Sequence, residues 1–245
     1  MRFIIFILFV ISIPQLGFAQ SGVGKLDHSG KRALKPKIQS SVVPNGTDKA
    51  WHFVLPGGSC NRDDCKFDRE RSQLVQSRPD NLVGKSYRYG FSFFLPKDFV
   101  DVSPTNTLLW EVKPFGTGKP SIVVEIVESR LQFTMSNPGV SQSDKMNPEK
   151  PIVIKSLGPI PRGKWTDIKI DVKWSSGKDG SLVLFQNGRK VLSHSGPNVE
   201  TKVKKQAIMF GIYRSFVSRY TQRRGVQETP TQEAFFSNVS RQEIK

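Results

Sequence analysis

Arg69, Arg71 and Gln73 stand at alternate positions of Asp68-Arg69-Glu70-Arg71-Ser72-Gln73-Leu74, just after a close cysteine pair, Cys60 and Cys65. In an extended strand these three side chains share one face, and Glu70, Ser72 and Leu74 share the other. A planar guanidinium fork matches the oxygens of a carboxylate or sulfate, so the first face suits an anionic ligand. The structural alternative for the same arginines is solvation, or ion pairs with Glu70 and Asp68.

The chain of 245 residues opens with Met1-Arg2 and an apolar run from Phe3 to Phe18, interrupted at Ser12, Pro14 and Gln15, before Gly17-Phe18-Ala19. This pattern predicts a secretory signal over residues 1–19, cut after Ala19. The apolar run is too broken for a spanning helix, which needs about 20 residues. The mature protein is therefore expected to be secreted or periplasmic, where Cys60 and Cys65 would close a disulfide. Only three histidines occur, His28, His52 and His194, without zinc-type spacing, so no metal site is expected. The 37 Lys and Arg exceed the 21 Asp and Glu, for a net charge of +16. Such a balance attracts polyanions. Export and the lack of any recognised nucleic-acid module point to acidic polysaccharide and away from nucleic acid.

These residues must be held by strands. Residues 20–48 are rich in Ser, Gly, Lys and Pro and read as a flexible lead-in, and 49–245 as one β-domain. Short β-like runs recur from Trp51 onward, and in Trp165 to Trp174 the residues Ile168, Ile170, Val172 and Trp174 alternate with Asp167, Lys169, Asp171 and Lys173. That alternation predicts a sheet buried on one face. Asn187-Gly188 between two such runs predicts a tight hairpin. Many short strands and no long amphipathic helix argue for an all-β, two-sheet antiparallel sandwich or jelly roll. Two polar stretches, Ser136 to Pro151 and Ser215 to Gln232, are read as loops that border a groove.

Four stretches, in order, resemble the heparin lyase I-like family of secreted jelly-roll polysaccharide lyases, which includes glucuronan lyases, and more distantly the alginate lyases. Asp68 to Leu74, behind the Cys60/Cys65 loop, is similar to the family's arginine strand, written R-S/T-E-L. Tyr89 to Pro96 resembles the next core strand. Gly163 to Trp174 with Phe185 to Val191 resembles its long strand and hairpin, and Phe210-Gly211-Ile212-Tyr213-Arg214 its G-I/V-Y strand. The resemblance implies a concanavalin A-like sandwich, an acidic polysaccharide substrate and a monomer. It implies no required cofactor and leaves room for a structural calcium. Gln73 stands where the family often has Glu. Glu111-Val112-Lys113 falls where alginate lyases have Q-I/V-H, so Lys113 takes the place of a histidine and Glu111 that of an amide.

A polyuronate lyase must neutralise a carboxylate, remove the C5 proton beside it and protonate the departing O4. On the resemblance, Tyr213 is the expected acid and base, with Arg71 and Lys113 as neutralisers and Arg69, Gln73, Arg214 and Glu111 as substrate-binding residues. His52 is a second candidate base, although a lone histidine in an apolar strand also suits a hydrogen-bonded structural role. A non-catalytic glycan-binding protein on the same sandwich is the main alternative. A β-glucan hydrolase is a third reading, weakened because Glu125 and Glu128 fall on opposite faces of a strand.

Overall fold

The computed structural model describes residues 22–28, 37–39, 50–115, 119–136 and 153–245. The expected signal at 1–19 lies outside them, as does nearly all of the stretch Ser136 to Pro151. In chain order the described residues form β1 (Leu26–His28), β2 (Lys37–Gln39), β3 (Ala50–Leu55), α1 (Arg62–Lys66), β4 (Arg69–Gln76), β5 (Asp80–Asn81), β6 (Ser86–Phe94) and β7 (Asn106–Pro114). There follow β8 (Ile122–Val127), β9 (Arg130–Met135), β10 (Val153–Pro159), β11 (Trp165–Lys173), β12 (Ser181–Gln186), β13 (Arg189–Ser195), β14 (Lys205–Ser215), α2 (Val217–Arg224) and β15 (Gln232–Ile244).

Two sheets result. One runs β1-β4-β14-β7-β8-β9-β10, with β5 also paired to β14, and the other runs β13-β12-β11-β6-β15-β3-β2. Each strand pair is antiparallel and most neighbours are far apart in sequence, the jelly-roll sandwich expected from the strand pattern. The segment read as a lead-in contributes β1 against β4 and β2 against β3. The stretch Ser215 to Gln232, read as loop, holds the eight-residue helix α2.

Alternation decides what lies between the sheets. Ile168, Ile170 and Val172 of β11 are buried against the groups that alternate inward on β7, β8, β9 and β14, while their charged neighbours face out. Aromatic rings dominate this core: Phe53, Phe91, Phe93, Phe133, Phe210 and Phe236 are fully enclosed, each contributing roughly 1.5–3 kcal/mol of burial. Phe91 stacks on Trp110 with centroids 4.9 Å apart. Trp174 satisfies its indole by donating from Nε1 to Tyr89 Oη at 3.0 Å. The Asn187-Gly188 turn has positive φ at both residues, 49° and 78°, and joins β12 to β13 as the sequence predicts.

Candidate active site

The face of the β4-side sheet that points away from this core is polar across five strands. On β4 the outward positions are Arg69, Arg71 and Gln73, because Leu74 belongs to the core. On β7 the core takes Trp110 and Val112, which turns Glu111 and Lys113 outward. Beyond them lie Glu125 on β8 and Gln132 and Thr134 on β9. β14 crosses the middle, pairing Tyr213 with Arg71 and Met209 with Glu111.

Tyr213 follows the regular alternation of β14 against β4, but the pairing with β7 beside it is irregular. Between Phe210 and Tyr213 the β14–β7 register slips, so that β14 carries an extra residue. Gly211 occupies this bulge at φ 129°, and a Cβ there would lie 2.4 Å from the Ser72 carbonyl oxygen and 2.7 Å from the Phe53 ring. Only glycine fits there. The Arg71 guanidinium stacks 4.6 Å from the Tyr213 ring centroid.

Arg71 is fixed from the other side by Asp64, to which it donates in bidentate fashion, Nε at 2.8 Å and Nη2 at 2.5 Å. Asp64 is buried at 4 % exposure and sits on α1. Asn61 caps this helix, accepting from the Asp63 and Asp64 amides at 3.0 and 2.9 Å and donating to Asp64 Oδ2 at 3.0 Å. The next residue is Cys65, disulfide-bonded to Cys60 with Cα atoms 5.3 Å apart. Disulfide, capped helix, Asp64 and Arg71 thus form one support chain for the guanidinium. Asp64 was missed in the sequence, yet Asn61-x-x-Asp64 has the form of a capping box and would have announced the helix.

The electrostatics of this face are mixed. Burial pushes the Tyr213 phenol above its ordinary value, while Arg69 and Arg71 pull it back down. Burial likewise lowers Lys113, opposed by Glu111 and reinforced by Arg71 and Arg69. Glu111 is 2 % exposed, and burial raises its carboxyl against the pull of Lys113 and of Gln73, whose Nε2 lies 3.4 Å from Oε1. Glu125 is also raised by burial and accepts from Thr134 Oγ1 at 2.8 Å. Arg69 has no carboxylate partner among the described residues and lies 5.2 Å from the exposed Phe67 ring.

Two of the expected site residues stand elsewhere. His52 is on β3, where Trp51, Phe53 and Leu55 take the core, so it lies on the outer face of the opposite sheet. There it bonds Glu233 at 2.8 Å and stacks on Phe235 at 4.3 Å, a structural role. Arg214 follows Tyr213 and therefore points into the sandwich. It is fully buried, pairs with Glu70 at 2.7 Å and donates to the Pro230, Pro56 and Leu55 carbonyls. Burial lowers its pKa to about 10, which leaves it charged at neutral pH but out of reach of any substrate on the opposite face. Glu128 lies in the β8–β9 turn and does not pair with Glu125. Among the described residues no group of three or more His, Cys, Asp or Glu is arranged to hold a metal ion, and no helix is long and apolar enough to cross a membrane.

Known structures share this architecture. The chain is similar to an endo-β-1,4-glucuronan lyase from the fungus Trichoderma reesei, at 18 % identity over 92 % of each chain, with TM-score 0.65. It is similar to an alginate lyase in complex with an alginate trisaccharide, at 13 % identity over 91 % of this chain and 100 % of that one, with TM-score 0.58. It also resembles a family 7 alginate lyase in complex with substrate, at 14 % identity over 88 % and 82 %, with TM-score 0.54. At these identities the likeness shows the fold alone. No curated protein matches by sequence. Residues 19–240 match the polysaccharide lyase family, and with nine-tenths of its length inside that match the chain belongs to the polysaccharide lyases.

Proposed function

We propose that the protein is a secreted lyase that cleaves an acidic, uronate-containing polysaccharide by β-elimination on the outer face of β4, β14 and β7. The observation that carries this reading is the placement of the Tyr213 ring against the Arg71 guanidinium, with Lys113 and Glu111 on the adjoining strand. The nearby disulfide is consistent with an oxidising destination.

Arg71 and Arg69 take the uronate carboxylate and draw charge from it as it builds in the transition state. Tyr213, as phenolate, removes the C5 proton. The C5 electron pair forms the C4–C5 double bond as the C4–O4 bond breaks, and the tyrosine returns the proton to O4. Burial holds the Tyr213 phenol above its ordinary value, and the Arg69 and Arg71 charges work against that burial in favour of the phenolate. Lys113 adds a positive charge. Glu111 fills the position of an amide, and a neutral carboxyl donates one hydrogen bond as an amide would. The reaction so written needs no cofactor.

The test is to incubate the mature protein with glucuronan, alginate, heparin, hyaluronan and pectate and follow the ultraviolet absorbance of unsaturated uronate. Chromophore from at least one polymer is expected. A folded protein that binds these polymers and releases no chromophore is a glycan-binding protein instead, and new reducing ends without chromophore would mark a hydrolase.

A further inference from the structure

Two phenylalanine rings face water at the end of the β4–β14 pair, beside the Arg71–Tyr213 row. Phe67, between α1 and β4, is 55 % exposed, and Phe216, between β14 and α2, is 47 % exposed. Strand pairing brings their segments together. Ser215 of β14 is set against Arg69 of β4, and just past that pair the Val217 amide donates to the Asp68 carbonyl at 3.2 Å. The Asp68 carboxylate accepts from the Ser218 amide at 2.8 Å and from Ser218 Oγ at 2.7 Å, so the two phenylalanines flank one set of bonds between the segments.

Phe216 is the informative residue. Its φ is 60°, a left-handed conformation that a bulky side chain rarely adopts and that costs on the order of 1–3 kcal/mol. Neighbours impose it: the Phe216 carbonyl accepts at 2.8 Å from Oγ1 of Thr105, a fully buried residue. Glycine would meet that backbone demand without strain. The ring stays about half in water, so core packing does not account for the phenylalanine, and a local rule broken without a packing gain points to function.

Each ring carries a cation. The Arg219 guanidinium lies 4.0 Å from the Phe216 centroid, and Arg69 and the Lys66 Nζ lie 5.2 and 5.7 Å from that of Phe67. Arg69 belongs to both places, because it stands on the outward face of β4, where its charge bears on Tyr213. The patch is thus continuous with the candidate active face.

Charge selects the occupant. A second copy of the chain would bring its own cations, and two chains of net charge +16 repel. A neutral apolar partner would leave Lys66, Arg69 and Arg219 without counter-charge. A uronate ring offers an apolar C–H face to a phenyl ring and, from the same ring, a carboxylate to a neighbouring cation. We propose that Phe67 and Phe216 form an aromatic subsite at the β4–β14 rim, where uronate rings outside the reacting pair stack while Lys66 and Arg219 meet their carboxylates. The inference rests on the reading that the β4–β14–β7 face takes a polyuronate, and adds the residues that hold the chain away from the bond that breaks.

The full chain carrying Tyr213→Phe, expected to bind without turnover, is titrated calorimetrically with hexamers of glucuronate, mannuronate and guluronate. At least one hexamer should bind, and Phe67→Ala and Phe216→Gly should each weaken it about fivefold, in line with one lost ring contact. Phe67→Trp, which keeps a flat ring, should retain the affinity. Phe216→Gly should hold or raise Tm, because it relieves the left-handed strain and removes an exposed ring, so lost affinity reads as lost stacking and not as lost fold. Hexamer affinity unchanged in both variants overturns the subsite, as does a parent that binds none of the three hexamers. A concentration-dependent dimer in sedimentation that both substitutions abolish makes the patch a contact between copies of the chain and overturns it as well. The lyase reading is tested apart, by chromophore release with Tyr213 intact. Chromophore together with unaffected hexamer binding leaves a lyase without this subsite, and binding lost on substitution without any chromophore leaves the subsite on a glycan-binding protein.

Discussion

Tyr213→Phe separates chemistry from architecture. The phenol hydroxyl has no hydrogen-bond partner among the described residues, so its removal strands no donor or acceptor. The ring, and with it the 4.6 Å contact to Arg71, is retained. The stability change should therefore stay under about 1 kcal/mol, a Tm shift of no more than about 4 °C for a domain of this size. Loss of a positioned proton-transfer group costs about 10²–10⁴-fold in rate, or about 2.7–5.5 kcal/mol of transition-state stabilisation. The assay is initial-rate formation of unsaturated uronate beside a thermal melt, with polymer affinity measured separately. Expected are a native melt, near-native affinity and kcat down at least about 100-fold. A variant that melts normally and keeps more than a tenth of wild-type kcat refutes the assignment. The proton would then have to move through Lys113, because His52 is on the outer face of the other sheet.

Four further outcomes follow from the same geometry. Burial holds the Glu111 carboxyl above its ordinary value of 4.5, so the folded chain keeps a proton that the unfolded chain releases. That contribution is fully present below the unfolded value and is lost as pH rises through the folded one, so Glu111→Gln should raise Tm at pH 7 to 8 more than at pH 4 and keep activity within about tenfold. Lys113 titrates below its ordinary 10.5, so if its charge assists the reaction, kcat/KM falls as pH rises through that lowered value. Lys113→Arg, charged to higher pH, should move this alkaline limb upward, and an unmoved limb would remove Lys113 from the mechanism. Cys60→Ala with Cys65→Ala should cost about 2 kcal/mol in a urea melt, as expected for so short a loop, and should also raise KM, since Asp64 beside Cys65 anchors Arg71. Arg214→Leu should cost about 3–5 kcal/mol by leaving Glu70 buried without its partner, visible as a large loss of Tm.

Strands were legible wherever one face is apolar. The Ile168-x-Ile170-x-Val172 run is β11, and the β-like runs from Trp51 onward became the strands of the two sheets. Shorter pieces were not. Leu26–His28, Lys37–Gln39 and Asp80–Asn81 are edge or peripheral strands fixed by pairing with β4, β3 and β14, and two or three residues are too few to show a period. The helix α2 carries only Val217 and Tyr220 among polar and basic residues and buries none of its side chains, so no apolar stripe marks it. At the site, the alternation on β4 was enough to set Arg69, Arg71 and Gln73 on one face, whereas Glu111 and Lys113 were put forward by the family resemblance and are turned outward by β7. Glu125, Gln132, Thr134 and Asp64 join them only through cross-strand and helix contacts between segments that the sequence keeps apart.

Arg214 shows where residue type misleads and parity decides. An arginine beside a candidate catalytic tyrosine, in a chain of net charge +16, invites assignment to an anionic substrate. Adjacent residues of a strand, however, face opposite ways, and Arg214 shares the side of Ile212 and Phe210. The same rule acts on the paired strand: Glu70 faces inward beside Arg71, which faces outward, and the register that sets Tyr213 against Arg71 necessarily sets Arg214 against Glu70. One pairing therefore builds two arginine sites back to back. On the inside, Glu70 also accepts from the Gly58 amide at 2.6 Å and from Thr229 Oγ1 at 2.9 Å, tying the segment before the disulfide to the sheet. On the outside, Asp64, just before the second cysteine, holds Arg71. The buried ion pair and the outward guanidinium are thus anchored by the same short stretch of chain, so a change in the Cys60–Cys65 loop that disturbs stability should disturb the candidate active face with it.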